Sequence, residues 1–107
     1  MIKVTIYKTK AKVRGYEISG HAGYAVTGKD IVCAAVSVLG INTVNAIEAY
    51  TNAKVLTDVD ESGYLKVMLL DTIDDKAQVL LDAFSLGVQE IYNDYGKTYI
   101  HVEFEEV

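Results

Sequence analysis

Apolar and polar residues alternate from the start of the chain, with Ile2, Val4 and Ile6 set against Lys3, Thr5 and Tyr7. A period of two gives a strand one apolar and one polar face. A polar turn at Lys8-Thr9-Lys10-Ala11 leads to a second strand, Lys12 to Ser19, so the two read as a hairpin. Gly15 inside it marks a bulge or a close backbone approach. Residues 20 to 30 then break the pattern, with Gly20, Gly23 and Gly28 and no regular period. A plain connector needs only two or three residues, whereas a loop this long inside a dense pattern reads as a lid or binding loop.

From Ile31 to Tyr50 the period becomes helical, with Asp30 in place as N-cap. One stripe holds Val32, Val36, Leu39, Thr43, Ala46, Ile47 and Tyr50, and a neighbouring one holds Cys33, Ser37, Gly40 and Val44. Apolar residues run almost all the way round, which predicts burial on more than one side, against the core or a second subunit. Asn52 and Ala53 close this helix. Two strands follow, Lys54 to Asp60 and Tyr64 to Leu70, joined by a turn with Gly63 at positive φ. Thr72 and Asp75 give a capping-box-like start to a second helix, Asp74 to Tyr95, with Ala77, Leu80, Phe84, Val88, Ile91 and Tyr95 at helical spacing. Gly96 ends it. The last strand, Thr98 to Phe104, sets Ile100, Val102 and Phe104 against His101, Glu103 and Glu105.

The order is ββαββαβ. It predicts an α+β two-layer sandwich, a five-stranded antiparallel or mixed sheet with two helices on one face. With 107 residues and no linker composition, residues 1–107 are expected to form one domain. The alternating Met1–Tyr7 segment is unlike a signal peptide, so the mature chain is expected to begin here. The apolar run from Ile31 to Ile41 is broken by Ser37 and followed by Asn42, Thr43, Asn45 and Glu48, too short and polar to span a bilayer.

Charge and cysteine content narrow the chemistry. The formal net charge is −5, and no basic patch interleaved with aromatics offsets it, which argues against direct nucleic-acid binding. A single cysteine cannot form an internal disulfide or a thiolate zinc cluster, pointing to a reducing cytoplasm. That cysteine, Cys33, lies near a helix N-terminus, where unpaired backbone N–H groups favour a thiolate. His21, twelve positions earlier, supplies a base, and together they read as nucleophile and proton acceptor. Asp30 serves as a helix cap, with an additional role in orienting the imidazole of His21 open. Ser37, one turn after Cys33, either hydrogen-bonds the thiolate or bonds back to the Cys33 carbonyl. His21, Cys33 and Asp30 match no standard metal-ligand spacing, so no metal and no cofactor are expected.

Gly20-His21-Ala22, then Gly28, then Asp30-Ile31-Val32-Cys33-Ala34-Ala35-Val36-Ser37 resembles the signature of the bacterial ribosomal-processing cysteine protease family Prp. The resemblance extends to chain length and element order. It implies a cysteine endopeptidase that removes the N-terminal extension of a basic large-subunit ribosomal protein of the L-twenty-seven type during ribosome assembly. It places the catalytic residues at Cys33 and His21, with Asp30 and Ser37 in support. It further implies a homodimer and a substrate loop between His21 and Cys33 that orders over the peptide. Gly20, Ala22, Gly23, Tyr24, Gly28 and Lys29 fall on that loop. The alternative is a non-catalytic, ribosome-associated peptide-binding or assembly factor. In either case an acidic protein is matched to a basic partner.

Overall fold

A computed structural model describes residues 1–20, 30–70 and 74–107, with Asp30 described in its backbone alone. The elements run β1 (Ile2–Thr9), β2 (Lys12–Gly20), α1 (Asp30–Tyr50), β3 (Val55–Val59), β4 (Leu65–Leu69), α2 (Asp75–Tyr95) and β5 (Ile100–Glu106). The strands form one sheet in the order β3-β4-β2-β1-β5. All pairs are antiparallel except β1 with β5, which run parallel with Ile2 opposite Ile100 and Ile6 opposite Phe104. The sheet is therefore mixed.

Register explains the core. Ile6, Tyr16 and Val67 lie side by side across β1, β2 and β4, as do Val4, Ile18 and Leu65. These side chains point to one face, where both helices pack. Tyr16 stacks on Phe84 of α2, ring centroids 3.9 Å apart, and its hydroxyl donates to the Gly40 carbonyl of α1 at 2.6 Å. From α1 the buried contributors are Val32, Val36, Val44 and Ile47, and from α2 they are Ala77, Leu81, Phe84 and Val88. Length and apolar content put Ile31–Tyr50 in the range of a bilayer-crossing helix, more than its run to Ile41 suggests. Here that segment lays its buried row on the sheet.

Three details depart from the sequence pattern. Tyr50 is 75% exposed although it shares the inward stripe, because α1 ends there and Thr51 caps it through the Ile47 carbonyl. Leu81, not Leu80, is the fully buried leucine of α2. The cap of α2 is Asp74, whose carboxylate accepts from the Ala77 amide at 3.0 Å, while Thr72 lies outside the described residues.

Gly15 meets both expectations placed on it. The β1–β2 register slips beside it, and a Cβ there would lie 2.1 Å from the Val67 carbonyl oxygen. Gly63 has φ +94 in the β3–β4 turn. Less expected, Lys10 and Ala11 both adopt positive φ in the two-residue β1–β2 turn. That conformation matches strand twist but costs about 1–2 kcal/mol per non-glycine residue. The β5 end holds it in place: Glu106 accepts from the Lys10 amide at 2.9 Å, and the Val107 amide donates to the Lys8 carbonyl at 2.9 Å.

Candidate active site

Cys33 is the fourth residue of α1 as described, in its first turn. Its neighbours Val32 and Val36 are 1% and 0% exposed, so the start of the helix is fixed on the core. Between them Cys33 is partly buried, packed against that core yet not sealed within it. The first turn of a helix presents backbone N–H groups that no intrahelical carbonyl satisfies, and these favour negative charge on a nearby sulfur or oxygen.

The height of α1 over the sheet is set at Gly40, on the same stripe as Cys33. A Cβ at Gly40 would lie 2.5 Å from Ile18 Cδ1 and 3.0 Å from Leu65 Cδ2. Only a residue without a side chain lets the helix sit this close. Tyr16 completes the contact from below, and burial pushes its hydroxyl's pKa up, keeping it a donor to Gly40.

Three chain segments converge at the end of the sheet nearest Cys33. β2 leaves at Gly20, whose φ is +77 and where a Cβ would lie 2.7 Å from the Met1 carbonyl oxygen. Glycine is thus required immediately before His21. The β3–β4 turn reaches the same end, and with Ser37 and Ile41 of α1 it encloses a recess of about 190 Å³. Ile18, Val59 and Leu65 line its walls, and Asp60, Glu61 and Tyr64 also border it. Asp60 accepts from the Ser62 hydroxyl and amide and from the Tyr64 amide. These bonds, from the Ser62 hydroxyl first, hold its carboxyl below the usual carboxylate range.

The residues singled out in the sequence fare differently. Ser37 lies one turn from Cys33 and faces the recess. The backbone of Asp30 opens α1. Its side chain, together with His21, Ala22, Gly23, Tyr24, Gly28 and Lys29, lies outside the described residues. His101, which no sequence pattern tied to Cys33, has Nε2 3.4 Å from Glu103 Oε2 on the sheet face away from α1. Among the described residues, no group of three His, Cys, Asp or Glu side chains is placed to hold a metal ion. The recess itself escaped sequence reasoning, because its walls come from β2, α1, β3 and β4. The one local signal was the acidic turn Asp60-Glu61.

A thiol at a helix start, one turn from an apolar recess, is an arrangement suited to peptide acyl transfer. Comparison with known proteins agrees. A family model described as cysteine protease Prp matches residues 1–101. The ribosomal processing cysteine protease Prp of Bacillus subtilis is 32% identical over 101 residues, covering 89% of this chain and 90% of its own. The chain is also similar to solved structures of an essential ribosomal processing protease Prp from Staphylococcus aureus. With a covalently linked product peptide, that protein matches at TM-score 0.89 and 31% identity, over 98% of this chain and all (100%) of its own. With a substrate peptide it matches at TM-score 0.88 and 30% identity, with the same coverage of 98% and 100%.

Proposed function

The chain belongs to the cysteine protease Prp family and is a cysteine protease, and from that premise we propose that Cys33 is its nucleophile and His21 its general base. The non-catalytic alternative falls with the family assignment. The Cys33 thiolate attacks the scissile carbonyl carbon, and the carbonyl π electrons move onto oxygen. First-turn N–H groups of α1 stabilise that oxyanion. Collapse of the tetrahedral species expels the amine, which takes its proton from the imidazolium of His21. Water, deprotonated by the same imidazole, then attacks the thioester, releasing the carboxylate product and restoring the thiol.

The substrate we assign is the N-terminal extension of a basic large-subunit ribosomal protein of the L-twenty-seven type, cut in the cytoplasm during ribosome assembly. Two relatives that carry ribosomal processing in their names, one of them solved with a substrate peptide, support this reading. The net charge of −5 suits a basic partner. Residues 1–107 act as a single protease domain and pair as a homodimer. Asp30 and Ser37 support the catalytic pair. Ala22, Gly23, Tyr24, Gly28 and Lys29 belong to a loop that closes over the peptide and excludes water, while Gly20, expected on that loop, is its fixed root at the end of β2.

The observation that carries the reading is the position of Cys33: first turn of a core-anchored helix, half-buried, at the sheet end where β2 delivers the chain to His21. The test is to incubate the purified protein with the extended ribosomal precursor and weigh the products by mass spectrometry. Wild type should release the extension, and Cys33→Ala should leave the precursor intact while keeping the wild-type melting temperature. Cleavage by Cys33→Ala at the wild-type rate would overturn the assignment.

A further inference from the structure

The recess beside Ser37 has apolar walls and an acidic mouth. Ile18, Ile41, Val59 and Leu65 supply the walls, with Asp60 and Glu61 at the rim. At about 190 Å³ it has room for one long side chain. We propose that it is a specificity pocket for a lysine or arginine of the bound peptide, one helical turn along α1 from Cys33. This rests on the protease reading above and adds a selective position to it.

The chemistry favours a basic occupant over an aliphatic one. A leucine would satisfy the walls but leave the negative charge at the rim without a cation to match it. A lysine or arginine lays its methylene stem along Ile41 and Leu65 and leaves its cation at the mouth. Asp60 is already ionised and pinned by Ser62 and the Tyr64 amide, so the mouth carries charge before any peptide arrives. The wall is held from behind as well. The Tyr64 hydroxyl donates to Glu17 of β2, and Tyr7 of β1 donates to the same carboxylate at 3.0 Å, tying the β3–β4 turn to the centre of the sheet.

The experiment uses a fluorescein-labelled synthetic peptide spanning the junction between extension and mature ribosomal protein. Each lysine or arginine is replaced in turn by norleucine, which keeps the stem and removes the charge. Binding to Cys33→Ala is followed by anisotropy, and cleavage by wild type is followed separately. One norleucine peptide should bind about tenfold more weakly than its parent, an effect in the range of a close charge pair. The exposed Glu61, changed to Gln on the Cys33→Ala background, should weaken the parent peptide similarly and the norleucine peptide hardly at all. With cleavage-competent Glu61→Gln, KM should rise while kcat holds. The proposal is overturned if every norleucine peptide binds as tightly as its parent. Equal weakening of parent and norleucine peptides by Glu61→Gln would overturn it too. Should wild type leave the precursor uncut while the parent peptide still binds Cys33→Ala, the substrate assignment fails and the binding cycle still decides the pocket. A parent peptide that does not bind overturns both.

Discussion

The two faces of the sheet are built from different materials. On the helix side, Ile2, Val4, Ile6, Tyr16, Ile18 and Val67 are at most 2% exposed, sealed by aliphatic and aromatic side chains from α1 and α2. On the other side no helix packs among the described residues, yet Thr5 and Tyr7 are only 3% and 8% exposed. Long polar side chains cover them. Glu103 takes an ion pair from Lys3 at 3.0 Å and a hydrogen bond from Thr5 at 3.3 Å. Glu17 accepts from Tyr7 and Tyr64, while the Lys66 ammonium sits 5.2 Å from the centre of the Tyr7 ring. The helix side holds the molecule together and carries Cys33. The far side keeps one half-buried carboxylate in contact with each cluster of donors, through hydrogen bonds that each make a modest net contribution to stability.

Removing material from each side would break or sharpen this contrast. The largest effect is expected at Phe84, whose ring stacks on Tyr16 and is 1% exposed. Phe84→Ala should lower stability by about 3–5 kcal/mol, read from urea unfolding. A loss below about 1 kcal/mol would mean that the helix layer matters no more than the polar one. Next comes Gly40→Ala, where the added methyl meets Ile18 and Leu65. Overpacking there should cost about 1–3 kcal/mol and slow proteolysis by lifting α1, while Glu103→Gln on the far face should leave turnover unchanged.

The smallest effect is a shift in tyrosine ionisation. Burial first, then the bond to Glu17, raises Tyr7 to about 12; Tyr64 is raised to about 12 by its bond to Glu17. Both groups favour the protonated native state. Their contribution to stability is therefore complete below the ordinary tyrosine value of about 10 and is lost as pH rises through about 12. In a near-ultraviolet titration, Glu17→Gln should bring these two back toward the ordinary value and leave Tyr16 late. If Tyr7 and Tyr64 keep their late ionisation in that variant, Glu17 is not what holds them.

Much of this was legible along the chain. Alternation at Ile2-Val4-Ile6 and at Leu65-Val67-Leu69 placed strands and their inner faces correctly, because a half-buried strand imposes a period of two directly on sequence. The helical spacing of Val32, Val36 and Ile47 was equally direct. Sequence did not disclose that β1 and β5 run parallel, since pairing depends on a crossover through α2 and not on local residues. Nor did it show Thr5 and Tyr7 as buried, because their cover comes from residues distant in the chain. At the site, the position of Cys33 at a helix start was readable from Asp30 and the apolar period that follows. The recess was not, being assembled from one or two residues each of β2, α1, β3 and β4 together with the β3–β4 turn.

One consequence of the parallel β1–β5 pair concerns synthesis. The first strand emerges earliest and receives its second neighbour last, from Ile100–Glu106. Until those residues leave the ribosome, one flank of β1 has open amides and carbonyls, the kind of surface that recruits stray strands. The strained Lys10–Ala11 bend is also without its Glu106 anchor during that interval. A nascent chain stalled before β5 is therefore the form most exposed to aggregation, and losing these few terminal residues would do harm far beyond their number.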